Sequence, residues 1–277
     1  MDTAVVLGGG GLTAYAWQVG MLAGLAETGV DLGDADLFGG TSAGALLAAE
    51  LASGARPADL YRVQVGRERA MLEVTFTWMM TAKYLWAVLG SRDRMSARKR
   101  LGKLALSVRD VPESAVFDAI GPQLPVRDWP EKELRLFAVD VLTGEATGFS
   151  AHSGISLVRA MSASCALPPL FPPITVGRSR WMDGGARSTT NADLVEGCRT
   201  VLVLAPIPKA PGTVPGSEEV ASLRGAGVRA SLLVPDRASR RAFGRNPLDA
   251  SRIPDAARAG YRQGGECAGG VRAFWEG

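Results

Sequence analysis

A chain of 277 residues suits one large α/β unit with its own core, and its 47% apolar and 21% charged residues exclude disordered, collagen-like and disulfide-scaffold classes. A net charge of +3 gives no electrostatic footprint for nucleic acid, and three scattered cysteines (Cys165, Cys198, Cys267) without a CxxC point to a reducing, cytoplasmic setting and away from zinc. There is one histidine, His152, so a His-rich metal site is excluded and a Ser-His-Asp triad has a single candidate base.

Along the chain, residues 3–7 read as a short buried strand stopped by Gly8-Gly9-Gly10-Gly11. Apolar spacing from Ala14 to Glu27 then predicts a helix closing near Gly29. Asp36–Gly39 is a second strand, followed by a turn and a small-residue helix from Ala43 to Ser53. Strand–turn–helix twice over is the signature of parallel βαβ units. Residues 67–132 break that rhythm with an apolar aromatic run at 76–89 and then Arg92, Arg94, Arg98, Lys99, Arg100 and Lys103 against Asp93 alone. Residues 134–140 restore a strand, turned at Thr143-Gly144 into a hairpin with 145–149. A helix follows over Leu157–Ser164, then strands at 200–205 and 231–234, and an arginine-rich, helical tail from about 222. With no repeats and no long linker, a single domain over 1–277 is expected, carrying a lid-like or helical insertion at about 67–132. The chain enters its first strand without the charged-then-apolar pattern of a secretory signal, and its longest apolar run is too short to span a bilayer, so a soluble protein is expected.

Three constellations bear on chemistry. Gly40-Thr41-Ser42-Ala43-Gly44 is a GxSxG between a strand and a helix, where a nucleophilic serine needs small neighbours because the turn is crowded. A turn in which Ser42 only caps the following helix fits the same letters. Gly8–Gly11 exposes backbone amides at a helix start, which suits a phosphate or the oxyanion of a tetrahedral intermediate. Gly9-x-Gly11-x-x-Ala14 also fits a permissive dinucleotide fingerprint with Glu27 or Asp31 as ribose acid, but the next strand leads into GxSxG, which that fold does not use. Asp183-Gly184-Gly185 reads alone as a turn. Its weight comes from the base problem: no histidine follows it, and His152, in a polar connection, fits none of the known triad orders.

Together, strand–GGGG–helix, strand–GxSxG–helix and a distant DGG resemble the patatin-like phospholipase family. The stretch Ala163-Ser164-Cys165-Ala166-Leu167-Pro168-Pro169-Leu170-Phe171-Pro172-Pro173 resembles the segment that family carries before its aspartate, and Asn191-Ala192-Asp193 and 201–206 resemble bacterial members. The resemblance implies a three-layer α/β/α fold with a mostly parallel central sheet. It also implies a lipid acyl hydrolase of phospholipase A, lysophospholipase or carboxylesterase type. Ser42 would be the nucleophile, Asp183 its partner in a Ser–Asp dyad, and the Gly9, Gly10 and Gly11 amides the oxyanion hole, with no cofactor or metal. The family often continues GGGG-x-Arg-Gly, where this chain has Gly11-Leu12-Thr13-Ala14; that departure motivates an alternative, a lipid- or acyl-binding regulator with weak catalysis. The expected partner is a lipid or acyl ester. Residues 75–103, with Trp78, Tyr84 and Trp86 beside basic residues, suit either a peripheral membrane contact or a packed helix with a solvated neighbour.

Overall fold

The computed structural model describes residues 1–66 and 78–277. The opening of the aromatic run, Phe76 and Thr77, lies outside the described residues. Among the described residues eight strands form one sheet: β1 (Thr3–Leu7), β2 (Leu37–Gly40), β3 (Glu133–Asp140), β4 (Ala146–Phe149), β5 (Ile174–Val176), β6 (Ser179–Asp183), β7 (Thr200–Leu204) and β8 (Arg229–Leu233). Their order is β5-β6-β3-β2-β1-β7-β8, with β4 pairing β3 off this path. The pairs among β3, β2, β1, β7 and β8 are parallel, while β4, β5 and β6 join antiparallel.

The strands read as near-continuous apolar runs because both faces of the sheet are covered. Alternation along each strand decides which layer a side chain joins. Val5, Leu7, Leu202 and Leu204 enter a core with Trp17, Met21, Leu47 and Met161. Ala4, Val6, Val201 and Val203 point the other way, toward Val220 and Leu223. This is the expected α/β layering.

Helix α1 (Gly11–Glu27) is buried on nearly every side between the sheet and the long α10 (Ile253–Glu276). It starts at Gly11 rather than Ala14, because Gly10 at φ 146° and Gly11 at φ 78° turn the chain straight from β1 into the helix. In α10, Ile253, Ala256, Ala257, Gly260, Gly264, Ala268 and Val271 recur at helical spacing and are buried, leaving Arg258 and Arg262 on the outer face to pair with Asp255, Asp236 and Glu266. Helices α2 (Ala43–Ala52) and α3 (Pro57–Gly66) follow β2, and α4 (Trp78–Leu89), α5 (Arg94–Leu106) and α6 (Glu113–Ile120) occupy most of the stretch before β3. Helix α7 (Leu157–Ser164) precedes the β5–β6 hairpin, and α8 (Gly216–Gly225) and α9 (Arg237–Phe243) flank β8. The β5–β6 hairpin and α8 were not legible in sequence: the hairpin strands are three and five residues long, follow Pro172-Pro173 and carry Arg180.

β1 is the strand at which the chain's direction across the sheet divides, with β2 on one side and β7 on the other. A ligand crevice is expected beyond the carboxyl ends of the strands at such a point. Leu7 pairs with Gly40, so the glycine loop after β1 and the GxSxG turn after β2 leave the sheet at the same level.

Candidate active site

Ser42 occupies the turn between β2 and α2 with φ 54° and ψ −122°. Only one other described non-glycine residue, Asn191, has positive φ. Such a conformation in a residue with a Cβ costs about 1–3 kcal/mol and persists only where the surroundings impose it. The surroundings here are the two flanking glycines. A Cβ on Gly44 would lie 2.2 Å from the Leu7 carbonyl oxygen, and one on Gly40 would lie 2.5 Å from Ala45 Cα, so GxSxG is dictated by backbone packing against β1 and by the turn itself. Ser42 stands at the N-cap of α2, yet its side chain caps nothing. The capping alternative is thereby excluded.

The turn is fixed from beneath by Ser164 at the end of α7. The Ser42 N–H donates to Ser164 Oγ at 3.1 Å, and that hydroxyl donates to Phe137 O in β3 at 2.8 Å. Ala166, two residues on, accepts from the Asp183 N–H at 3.0 Å. The 163–173 segment therefore holds both the serine turn and the aspartate strand.

Asp183 ends β6 and is 2% exposed. Its Oδ1 accepts from the Gly185 N–H at 2.7 Å, while Oδ2 is buried and accepts no hydrogen bond among the described residues. Burial raises its pKa from 3.8 to about 6, against the pull of the Gly185 amide and the Ser42 hydroxyl toward the charged form. Ser42 Oγ is thus electrostatically coupled to the carboxyl without a hydrogen bond of ordinary geometry to it. The aspartate has one free, desolvated oxygen and a basicity closer to neutrality than an exposed carboxylate.

In the sequence Asn191 stands out only within a stretch that resembles the family; its role is structural. Fully buried at φ 54°, it donates from Nδ2 to Thr41 Oγ1 (3.1 Å), Gly184 O (3.2 Å) and Ser188 O (2.8 Å), and its Oδ1 accepts from Arg187 (3.0 Å). One side chain therefore ties the residue before Ser42 to the residue after Asp183. Arg187 in turn binds Asp193 and lies 3.5 Å from the buried Glu219, which burial shifts toward its neutral form.

The three loop glycines do not behave alike. The Gly9 N–H already donates to Thr189 O at 2.8 Å, which corrects the expectation that all three amides face a ligand. The N–H groups of Gly10, Gly11 and Ala43 make no hydrogen bond among the described residues. Ala43 is not among the donors expected from the glycine loop. The signal was available, since the residue after an elbow nucleophile is a regular oxyanion donor.

Gly11, Ser42 and Ala43 open onto a cavity of about 130 Å³ whose walls are otherwise mostly apolar, with Leu46, Met161, Leu170 and Phe171 among them. Leu248 completes it from a turn far down the chain. Pro247 beside it accepts the Thr13 N–H at 3.1 Å, so this turn covers the start of α1 where the family pattern has arginine and glycine. Cys165 also lines the cavity. Burial and then the Asp183 charge push its thiol well above the ordinary range, which leaves little thiolate to compete as a nucleophile. Larger hollows, of about 680 and 800 Å³, border neither Ser42 nor Asp183.

His152 is exposed in a short 3₁₀ turn between β4 and α7; its backbone N–H donates to Ser150 Oγ, and its ring makes no hydrogen bond among the described residues. All three cysteines are free. Among the described residues no group of three or more His, Cys, Asp or Glu is placed to hold a metal, and no helix is long and apolar enough to cross a membrane.

Among curated proteins no sequence matches this chain significantly. Of solved structures, VipD from Legionella pneumophila aligns with 97% of this chain and 67% of its own, at 14% identity and a TM-score of 0.48. The type III effector ExoU aligns with 96% of this chain and 53% of its own, at 18% identity and a TM-score of 0.37. ExoU in complex with SpcU from Pseudomonas aeruginosa gives 99% and 61%, at 16% identity and 0.36. The chain thus spans about two thirds of VipD and little more than half of ExoU. The family model described as patatin-like phospholipase matches residues 5–195, a stretch that holds the glycine loop, the Ser42 turn and the Asp183 loop, and this chain belongs to that family.

Proposed function

We propose that this protein hydrolyses lipid acyl esters through a Ser42–Asp183 dyad and an acyl-enzyme. The observation that carries the reading is the pairing of an uncapped serine hydroxyl, held at φ 54°, with a buried aspartate whose Oδ2 accepts no hydrogen bond of ordinary geometry among the described residues and whose pKa is raised to about 6. At neutral pH that carboxylate is ionised and more basic than an exposed one.

The steps balance without a metal or cofactor. Asp183 Oδ2 takes the proton of Ser42 Oγ as Oγ bonds to the ester carbonyl carbon and the π pair moves onto oxygen. The Gly10, Gly11 and Ala43 amides supply donors for that oxyanion; one such donor is typically worth about 3–4 kcal/mol. Collapse breaks the ester C–O bond, and the proton returns from Asp183 to the leaving alkoxide. Water then attacks the acyl-enzyme with Asp183 again as base, releasing the fatty acid and restoring Ser42. The apolar cavity beside Ser42 suits the acyl chain.

The test is an acyl-ester panel of short and long chains, with Ser42→Ala and Asp183→Asn as controls. Each variant is expected to lose about 10³-fold or more in kcat while remaining folded. Near wild-type turnover by either folded variant refutes the dyad. One observation favours a second reading, a lipid-binding regulator with weak catalysis: the Gly9 amide is committed to Thr189, and no arginine follows the loop. Tight acyl binding with no turnover across the panel would select it.

A further inference from the structure

Helix α4 has two unlike faces. Tyr84, Ala87 and Val88 pack inward against Leu101 and Ala105 of α5 and against Met182, the residue before Asp183. Burial raises the Tyr84 phenol to about 12, with the Asp183 charge contributing, so this inner face reaches the acid loop. The outer face carries Trp78 (79% exposed), Met79, Leu85, Trp86 (72%) and Leu89. These are five of the ten exposed large apolar side chains in the described protein, gathered on one twelve-residue helix. A concentration of this kind marks a surface that meets something apolar.

Beside it runs a groove of about 680 Å³ between α4 and α5, floored by Ala87 and Leu104 and bordered by Lys83, Arg100 and Lys103. The Arg100 guanidinium lies over the Trp86 ring at 5.3 Å. None of these three cations forms an ion pair among the described residues. Arg92 and Lys99 add exposed positive charge. The only acid from 78 to 107 is Asp93, whose carboxylate accepts the Ser96 N–H at 2.7 Å and is used as the α5 cap.

Exposed tryptophans flanked by lysines and arginines that form no ion pair among the described residues match the boundary of a bilayer, where indoles enter the headgroup layer and cations meet phosphates. We propose that the α4–α5 face docks on an anionic phospholipid bilayer, Trp78 and Trp86 entering the headgroup boundary and Lys83, Arg100 and Lys103 meeting lipid phosphates. The inference rests on the reading of the substrate as lipid and gives that site its means of reaching an interface. Helix α4 then joins the two functions, bilayer outside and acid loop inside.

The test uses the full chain carrying Ser42→Ala, so that binding is read without turnover, mixed with vesicles of phosphatidylcholine alone or with added phosphatidylglycerol. Sedimentation with the anionic vesicles is expected, weakening as salt rises. Each neutralised cation should reduce partitioning about fivefold, so Lys83→Gln with Arg100→Gln and Lys103→Gln should reduce it about a hundredfold at an unchanged melting temperature. A blue shift of tryptophan emission on binding should disappear in Trp78→Ser/Trp86→Ser. Absence of vesicle binding, equal binding to neutral vesicles, or a dimer that those tryptophan changes dissolve each overturns the proposal. If esters are cleaved but vesicles are not bound, docking fails and the hydrolase reading stands; vesicle binding without ester cleavage has the reverse meaning.

Discussion

Asp183→Asn should remove activity and yet gain stability relative to the wild type as pH rises. Folding moves the carboxyl from a pKa of 3.8 to about 6, so the unfolded chain binds fewer protons than the folded one between those values. A group whose folded pKa is raised contributes stability below its unfolded pKa and loses it as pH climbs through the folded value. The shift of about two units amounts to about 3 kcal/mol against the fold at pH 8, falling to about 1 kcal/mol at pH 4.5. Asparagine carries no charge, so its own contribution is flat across this range, and any fixed cost of seating its amide beside Ser42 cancels in the comparison. The stability advantage of Asp183→Asn should therefore grow by about 2 kcal/mol from pH 4.5 to pH 8, or about 5 °C in melting temperature for a chain of this size. Thermal unfolding of both proteins across that range measures it. Melting curves that stay a constant distance apart would refute a desolvated, raised-pKa Asp183 and with it the general base.

Other changes separate the parts of the site. Asn191→Ala removes the bonds that join Thr41 to Gly184, and should cost about 2–4 kcal/mol in urea unfolding while kcat falls about 100-fold and KM changes little. His152→Ala should leave kcat/KM within twofold in the same ester assay, since the ring is exposed and forms no hydrogen bond among the described residues; a loss of several orders of magnitude would restore the imidazole as base. Leu248→Ala should lengthen the cavity beside Ser42 and move the preference in the chain-length panel toward longer acyl groups by about tenfold.

The reach of the sequence follows the range of the forces involved. β1, β2 and β7 are apolar runs bounded by turn residues, so their ends are marked locally and the structure places them within a residue or two of expectation. The GxSxG turn was legible for a similar reason: its glycines answer to collisions within the turn and with the adjacent β1. The β5–β6 hairpin carries no such pattern, because it is held by pairing with β3, which no short window records. Asn191 and Leu248 act across about 150 and 200 residues of chain, so neither role had a sequence signal beyond the family resemblance that marked Asn191. The Gly9 amide shows the opposite failing. A glycine-rich loop announces free donors, and only its packing against Thr189 reveals that one is spent.

Activation of Ser42 by Asp183 can be read chemically. Labelling with a fluorophosphonate, followed by intact mass and peptide mapping, reports on the reactivity of that hydroxyl. One adduct on Ser42 is expected, absent in Ser42→Ala, strongly slowed in Asp183→Asn, and formed in the wild type at a rate that rises with pH through about 6 as the carboxyl ionises. A folded protein that takes no adduct, or one whose labelling at Ser42 is indifferent both to Asp183→Asn and to pH in that range, would rule out activation of Ser42 by Asp183.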